Sequence, residues 1–152
     1  MVPGQFWQIP LSNKKFACWR VLQMDQHGRT GFLAGLMDWS GDEFPISKNI
    51  SGCGLLEQGG AHIKTIPWNG GEILGHRSLD EDGIQPIPEL SHLPSHNCML
   101  MNGLEEVRKA TLSEQQTLYI HGAWGLGIVK IFAEAYFVLG RKPQKTLPWD
   151  ER

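Results

Sequence analysis

The chain has 152 residues, a length at which a single domain buries roughly two-thirds of its unfolded surface without disulfides or metals. Hydrophobic residues make up 41% of the sequence and charged residues 20%, which excludes a disordered chain. The net charge of only −2 provides no overall field that would attract nucleic acid or an anionic membrane. We therefore expect one domain over 1–152, β-rich over 1–95 and helix-containing over 96–152, with neither nucleic acid nor a membrane as a partner.

The cysteines and the first residues predict where the protein is located. An odd number of cysteines without Cys-x-x-Cys spacing is typical of free thiols in a reducing compartment. Residues 1–7 lack the basic segment and apolar run of a secretion signal, and charges interrupt the apolar stretch 120–139. A cytoplasmic protein is therefore expected. The three cysteines are Cys18, Cys53 and Cys98.

Three strands are predicted in the first forty residues. Apolar alternation over 6–11, aromatic and β-branched residues over 16–22, and an apolar run over 31–37 are typical of strands joined by short polar turns. Pro10 cannot donate to a sheet hydrogen bond, so the first strand lies at an edge or ends there. We expect residues 5–39 to form an antiparallel meander.

The middle of the chain is rich in turn-forming residues. Glycine, serine and asparagine over 50–60 predict that regular structure there is brief. A strand is expected at 72–76, followed by an acidic turn at 80–83 whose Asp-Gly step tolerates a positive φ. Prolines hold 85–95 extended, and this segment is predicted to be a surface connection.

Helices are predicted in the last third. Asn102 has the residue type of a helix N-cap, and Glu105 and Glu106 suit the positive end of the helix dipole. A second helix is expected over 128–139, closed by Gly140. The predicted fold class is α+β, mainly β: a strongly twisted antiparallel sheet or a small, partly open barrel with one or two C-terminal helices.

Two clusters contain residue types that occur in metal-binding or phosphate-binding sites. His92, His96 and Cys98 are all zinc-ligand types, but their spacing is not that of a zinc finger and a fourth ligand is missing. The glycines of 122–127 precede a helix without the lysine and hydroxyl of a phosphate-binding loop, so a close approach of backbone to the core is expected. No metal or cofactor is predicted.

No catalytic residue is assigned, because the six histidines and the serines occur outside any nucleophile motif. The segment 80–114 has seven acidic and two basic residues, a local charge of −5 that suits a basic partner or forms a solvated surface. Candidate partner contacts combine its acidic residues with two of the six tryptophans as anchors. They are Asp80, Glu81, Asp82, Glu105, Glu106, Trp39 and Trp68.

Several short motifs follow one another within residues 3–90: an Ile-Pro-Leu start, an Arg-Val-Leu strand, an Ile-Pro-Trp step, an Ile-Leu-Gly strand and a proline-rich exit. They are 3–11, 15–22, 66–68, 73–79, Pro86 and Pro88. This order of motifs resembles immunity family twenty-six, an all-β family of immunity proteins from bacterial polymorphic toxin systems.

The resemblance implies a protein that binds a cognate toxin domain stoichiometrically and prevents self-killing, without catalytic residues or cofactors. Two alternatives remain open: a small β-barrel module that binds nucleic acid or peptide, and a small hydrolase whose catalytic residues only the fold brings together. Whether the chain forms a homodimer also remains open.

Overall fold

Two antiparallel sheets, of five and three strands, organise residues 1–142, the part of the chain that this computed structural model describes. The predicted fold class, α+β and mainly β, is confirmed. The elements are β1 (Gln5–Pro10), β2 (Phe16–Met24), β3 (Gly31–Gly41), β4 (Leu55–His62), α1 (Thr65–Trp68), β5 (Ile73–His76), a 3-10 helix (Leu79–Asp82), β6 (Pro88–Leu90), β7 (Met99–Asn102), β8 (Glu105–Lys109), α2 (Leu112–Thr117) and α3 (Ile128–Phe137).

The larger sheet contains the predicted meander and adds one strand at each side. Its order is β4-β3-β2-β1-β5, with every neighbouring pair antiparallel. The sheet stays open and does not close into the barrel that was considered as an alternative. Pro10 is the last residue of β1, where its missing N–H costs no interior sheet bond.

Both faces of this sheet are covered, which explains why its central strands are apolar almost throughout. One core cluster contains the stacked indoles of Trp7 and Trp19, whose centroids are 6.3 Å apart, and extends to α3 through Val129. The other contains Phe6 and Leu33 on the opposite face. A strand that is buried on both sides shows a continuous apolar run rather than a clean alternation.

The helix predicted to begin at Asn102 is wrong, because this segment belongs to the smaller sheet. Residues 99–109 form a β-hairpin, and Glu105 and Glu106 lie on its exposed strand β8. Asn102 pairs with Glu105 across a two-residue turn in which Gly103 has a φ of +66°. Glycine at the first central position is a strong hairpin signal, and here it outweighs the residues that also suit a helix start.

Two segments contain strands where the sequence predicts brief regular structure or a surface connection. Within 50–60, β4 pairs with β3, and its Gly59 supports the indole of Trp124, which a Cβ at that position would overlap. Within 85–95, β6 pairs with β7, and its Glu89 and Leu90 are buried rather than exposed at the surface. Both strands depend on partners that are distant in sequence.

The helix predicted at 128–139 is confirmed as α3. Glu134 on this helix accepts hydrogen bonds from the N–H and hydroxyl of Ser12, both at 2.7 Å, which connects α3 to the turn between β1 and β2. Gly140 adopts the left-handed conformation, with a φ of +66°, after the helix ends. Within residues 1–142, no helix has the length and apolar character needed to cross a membrane.

Candidate functional site

An open cleft lies where the β2–β3 turn approaches the β7–β8 hairpin, and we call it the acidic cleft. Its volume is about 600 Å³. The apolar side chains of Met24, Met101 and Leu104 and the amide of Gln26 line it together with His27 and three carboxylates, and the described lining includes no lysine or arginine. The carboxylates belong to Asp25, Glu105 and Glu106.

Hydrogen bonds fix the two walls of the acidic cleft relative to each other. The side-chain oxygen of Gln23, on β2, accepts a hydrogen bond of 2.7 Å from the N–H of Leu104 in the hairpin turn. In the other wall, the N–H of Asp25 donates to Gly31, and its carboxylate accepts from the N–H of His27 at 3.0 Å. The three carboxylates are thus presented by well-connected backbone.

A second cavity, which we call the apolar groove, adjoins the acidic cleft. It has a volume of about 450 Å³ and shares Asp25 and Leu104 with the cleft. Phe32, Trp124 and the small residues of β4 supply most of its walls, and its other polar side chains are His62 and His121. The two cavities adjoin at these shared residues, and we call the pair of cavities the recess.

His121 is held at the apolar groove by a buried polar cluster. Its Nδ1 lies 3.3 Å from Oε1 of Glu89, whose side chain is 4% exposed. The same carboxylate oxygen accepts a hydrogen bond of 2.8 Å from the amide of Gln58. Gln58 also donates to the carbonyl of Ile87 and accepts from its N–H, so this one side chain joins β4 to the segment that leads into β6.

The predicted partner residues fall into separate regions of the surface. Glu105 and Glu106 lie at the acidic cleft. Asp80 and Glu81 are exposed on the 3-10 helix and do not line either cavity; Glu81 lies 3.5 Å from the guanidinium of Arg77. The structure therefore does not bring all the acidic residues of 80–114 together.

Asp82 requires a correction, because it is an internal residue rather than an exposed charge. Its side chain is 1% exposed and forms ion pairs with Arg20 and Arg77, both at 2.8 Å. The N–H of Gly52 donates to the same carboxylate at 2.9 Å. Hydrogen bonding by Arg77, with further donors from Gly52 and Arg20, holds the pKa of Asp82 well below its usual range. Its carboxylate connects three chain segments.

The two candidate tryptophans differ in exposure. Trp39 is half-buried and packs against the core cluster that contains Phe6 and Leu33. Trp68 ends α1 with 68% of its surface exposed. Neither lines the acidic cleft or the apolar groove.

The cluster of possible zinc ligands and the glycine-rich loop both make contacts within the protein. The thiol of the buried Cys98 donates to the carbonyl of His92, and residues 1–142 contain no group of three or more potential ligands arranged around a metal position. In the glycine-rich loop, the carbonyl of Gly122 accepts from Gly60, and Trp124 donates back to Gly60 at 2.7 Å. The loop backbone thus bonds to strand β4, whereas Gly125 and Gly127 face open space.

Sequence reasoning missed Asp25, His27, Glu89 and His121 as site residues. A lone aspartate two residues before His-Gly in a turn carries no chemical signature, and Glu89 was counted only as one charge of an acidic segment. Gly103 was the available signal, since glycine at the first central position of a two-residue turn favours the hairpin that forms one wall of the acidic cleft. Comparisons with protein-family models, curated proteins and solved structures found no match for this chain.

Proposed function

We propose that the protein is an immunity protein that binds a cognate toxin domain of a polymorphic toxin system in the cytoplasm and blocks it stoichiometrically. The observation that carries this proposal is the acidic cleft, which three carboxylates and three apolar side chains line together. The choice of a toxin domain as the partner comes from the segments within residues 3–90 that resemble immunity family twenty-six. Recognition by such a protein needs a rigid surface rather than catalytic groups.

The composition of the acidic cleft suits a basic side chain of a partner. Lysine and arginine place apolar stems against apolar surface while their charged ends reach polar groups. The apolar lining residues Met24, Met101 and Leu104 suit the stem. The carboxylates of Asp25, Glu105 and Glu106 suit the charge. Complementary charge of this kind accelerates association and selects against acidic partners.

The exposed strand β8 supplies a second contact surface next to the cleft. All five of its residues are exposed, including Val107 with 56% of its surface accessible, and among the described strands β8 pairs with β7 alone. An open strand edge can be extended by a partner strand, which adds backbone hydrogen bonds to the charge contacts.

The first test is whether a neighbouring gene encodes a large secreted protein with a toxic C-terminal domain. The toxin domain that such a gene encodes is then used in co-expression and in stopped-flow association kinetics. The variant E105K/E106K reverses two charges at the acidic cleft, whereas the matched control D80K/E81K makes the same charge change outside it. We expect the first variant to associate at least about tenfold more slowly at low salt and to lose growth protection. The control should stay within about threefold of the wild-type rate.

Two results would overturn the proposal. If wild-type protein neither protects cells nor forms a complex with the toxin domain, the assigned function is wrong. If both double variants slow association equally, net charge rather than the acidic cleft governs recognition, and the assignment of the cleft is wrong.

A further inference from the structure

The imidazole of His121 has an orientation that is set by a buried carboxylate. Its Nδ1 faces Oε1 of Glu89 at 3.3 Å, and that carboxylate is itself fixed by Gln58. Of the two neutral tautomers, a carboxylate beside Nδ1 favours the one that carries its proton there. In that tautomer Nε2 bears the lone pair and is a hydrogen-bond acceptor.

This acceptor faces the apolar groove. A Cβ built on Gly60, which lines the groove, would lie 3.5 Å from Nε2 of His121. The other histidine of the groove, His62, uses its Nδ1 to accept a hydrogen bond from the N–H of Lys64 at 3.0 Å. The groove therefore combines the aromatic walls of Phe32 and Trp124 with an oriented acceptor.

We propose that the apolar groove holds an aromatic side chain that carries a hydrogen-bond donor, a tryptophan or tyrosine of the partner protein, and that Nε2 of His121 accepts this hydrogen bond. The inference rests on the proposed function only in taking the partner to be a protein. The apolar groove has a volume of about 450 Å³, which is within the usual range of small-ligand sites, roughly 300–1,000 Å³. Tryptophan and tyrosine are the residues that most often anchor protein interfaces.

The position of the groove beside the acidic cleft indicates which kind of partner residue lies next to the aromatic side chain. The two cavities share Asp25 and Leu104, so a chain with its aromatic ring in the groove has its neighbouring residues at the three carboxylates. The recognised element is therefore an aromatic residue adjacent in space to a lysine or arginine. Aromatic contacts provide residence time, and the charges provide speed of association.

The test uses the purified full chain and N-acetyl-L-tryptophanamide as a probe, followed by NMR chemical shifts. We expect saturable shifts at Gly60, His121 and Trp124, with a dissociation constant below about 10 mM. The matched ligand methylated at the indole nitrogen keeps the ring but lacks the donor, and it should bind about fivefold more weakly, the loss of one net hydrogen bond. Equal binding of both ligands would overturn the role of His121, and no saturable shift at these residues would overturn the site.

The variant Gly60→Ala tests the site without disturbing the fold. The nearest atoms to the added methyl lie at 3.5–3.9 Å, an ordinary packing distance, so the domain should remain folded while the methyl occupies the groove beside Nε2. We expect at least tenfold weaker binding of the probe and, in kinetics with the toxin domain, faster dissociation with an unchanged association rate. Unchanged probe affinity in the folded variant would contradict the placement.

The two proposals fail in different ways. In one outcome, Gly60→Ala abolishes probe binding and the wild-type protein does not bind the toxin domain. This outcome refutes the proposed function and supports the aromatic site. A variant that loses probe binding but dissociates from the toxin domain at the wild-type rate refutes the partner contact, while immunity itself stands.

Discussion

Replacing each of two consecutive glycines of β4 by alanine should have opposite effects on stability. At Gly59 a Cβ would overlap the indole of Trp124, so the ring must move. That ring makes edge-to-face contacts with Trp19 and Phe132, at centroid distances of 5.5 and 4.9 Å. At Gly60 the added methyl meets only ordinary packing distances.

The magnitudes follow from these contacts. Overpacking a core costs about 1–3 kcal/mol, and each lost aromatic pair costs about 0.5–1.5 kcal/mol more. In the opposite direction, alanine lowers the conformational entropy of the unfolded chain, which raises the free energy of unfolding by about 0.4–1 kcal/mol. We expect Gly59→Ala to lose about 2–4 kcal/mol of unfolding free energy and Gly60→Ala to change it by between zero and a gain of about 1 kcal/mol.

Urea unfolding monitored by tryptophan fluorescence measures both values, with the denaturant dependence serving as a check that the unfolding transition is unchanged. Near-ultraviolet circular dichroism should report a changed indole environment in Gly59→Ala alone. If the two variants differ by less than about 1 kcal/mol, Trp124 does not pack on β4 as described, and the wall that it forms in the apolar groove is misplaced.

Three further predictions concern polar contacts, each with its own measurement. Asp82→Asn leaves the buried guanidinium of Arg20 without its carboxylate and should cost about 3–5 kcal/mol in urea unfolding at pH 7. Because folding lowers the pKa of Asp82, the wild-type advantage should be constant above about pH 5 and shrink as the pH falls below about 4; an advantage that grows with acid would contradict the sign. Gln58→Leu strands buried polar atoms of Ile87 and Glu89 and should cost about 2–4 kcal/mol, with faster amide exchange at Ile87; unchanged exchange there would exclude the connection. Removing the Arg108 guanidinium by Arg108→Gln should raise the pKa of Glu114, measured by NMR titration, from about 2 towards its usual value, and a pKa that stays near 2 would refute the pairing.

The parts of the fold that were predictable are those whose signals are local. The strands β1, β2 and β3 follow from apolar and β-branched runs separated by short polar turns, and α3 follows from helical periodicity ending at Gly140. In contrast, β4 contains two adjacent glycines, and the need for glycine at Gly59 is set by Trp124, more than sixty residues later in the sequence. Tertiary packing overrides strand propensity at such positions.

The recess was unpredictable for a related reason. Asp25 and Glu105 meet at the acidic cleft because Gln23 binds the turn at Leu104, a contact between residues 81 positions apart. Because Asn102 is interpreted as a helix cap, Glu105 and Glu106 are predicted on a helix, whereas they lie on an exposed strand. A hairpin turn predicted at Gly103 would place both glutamates on an exposed strand, but it would not predict their proximity to Asp25.

The charge of −5 counted over 80–114 overstates what a partner meets, and the structure explains which charges remain. Asp82 is neutralised internally by two arginines, Glu89 is buried against Gln58 and His121, and Glu114 pairs with Arg108. These three acids are engaged in contacts within the protein. The acidic surface at the recess therefore consists of Glu105 and Glu106 together with Asp25, a residue outside the counted segment. Composition measures total charge, whereas recognition depends on the carboxylates that the fold leaves at a cavity.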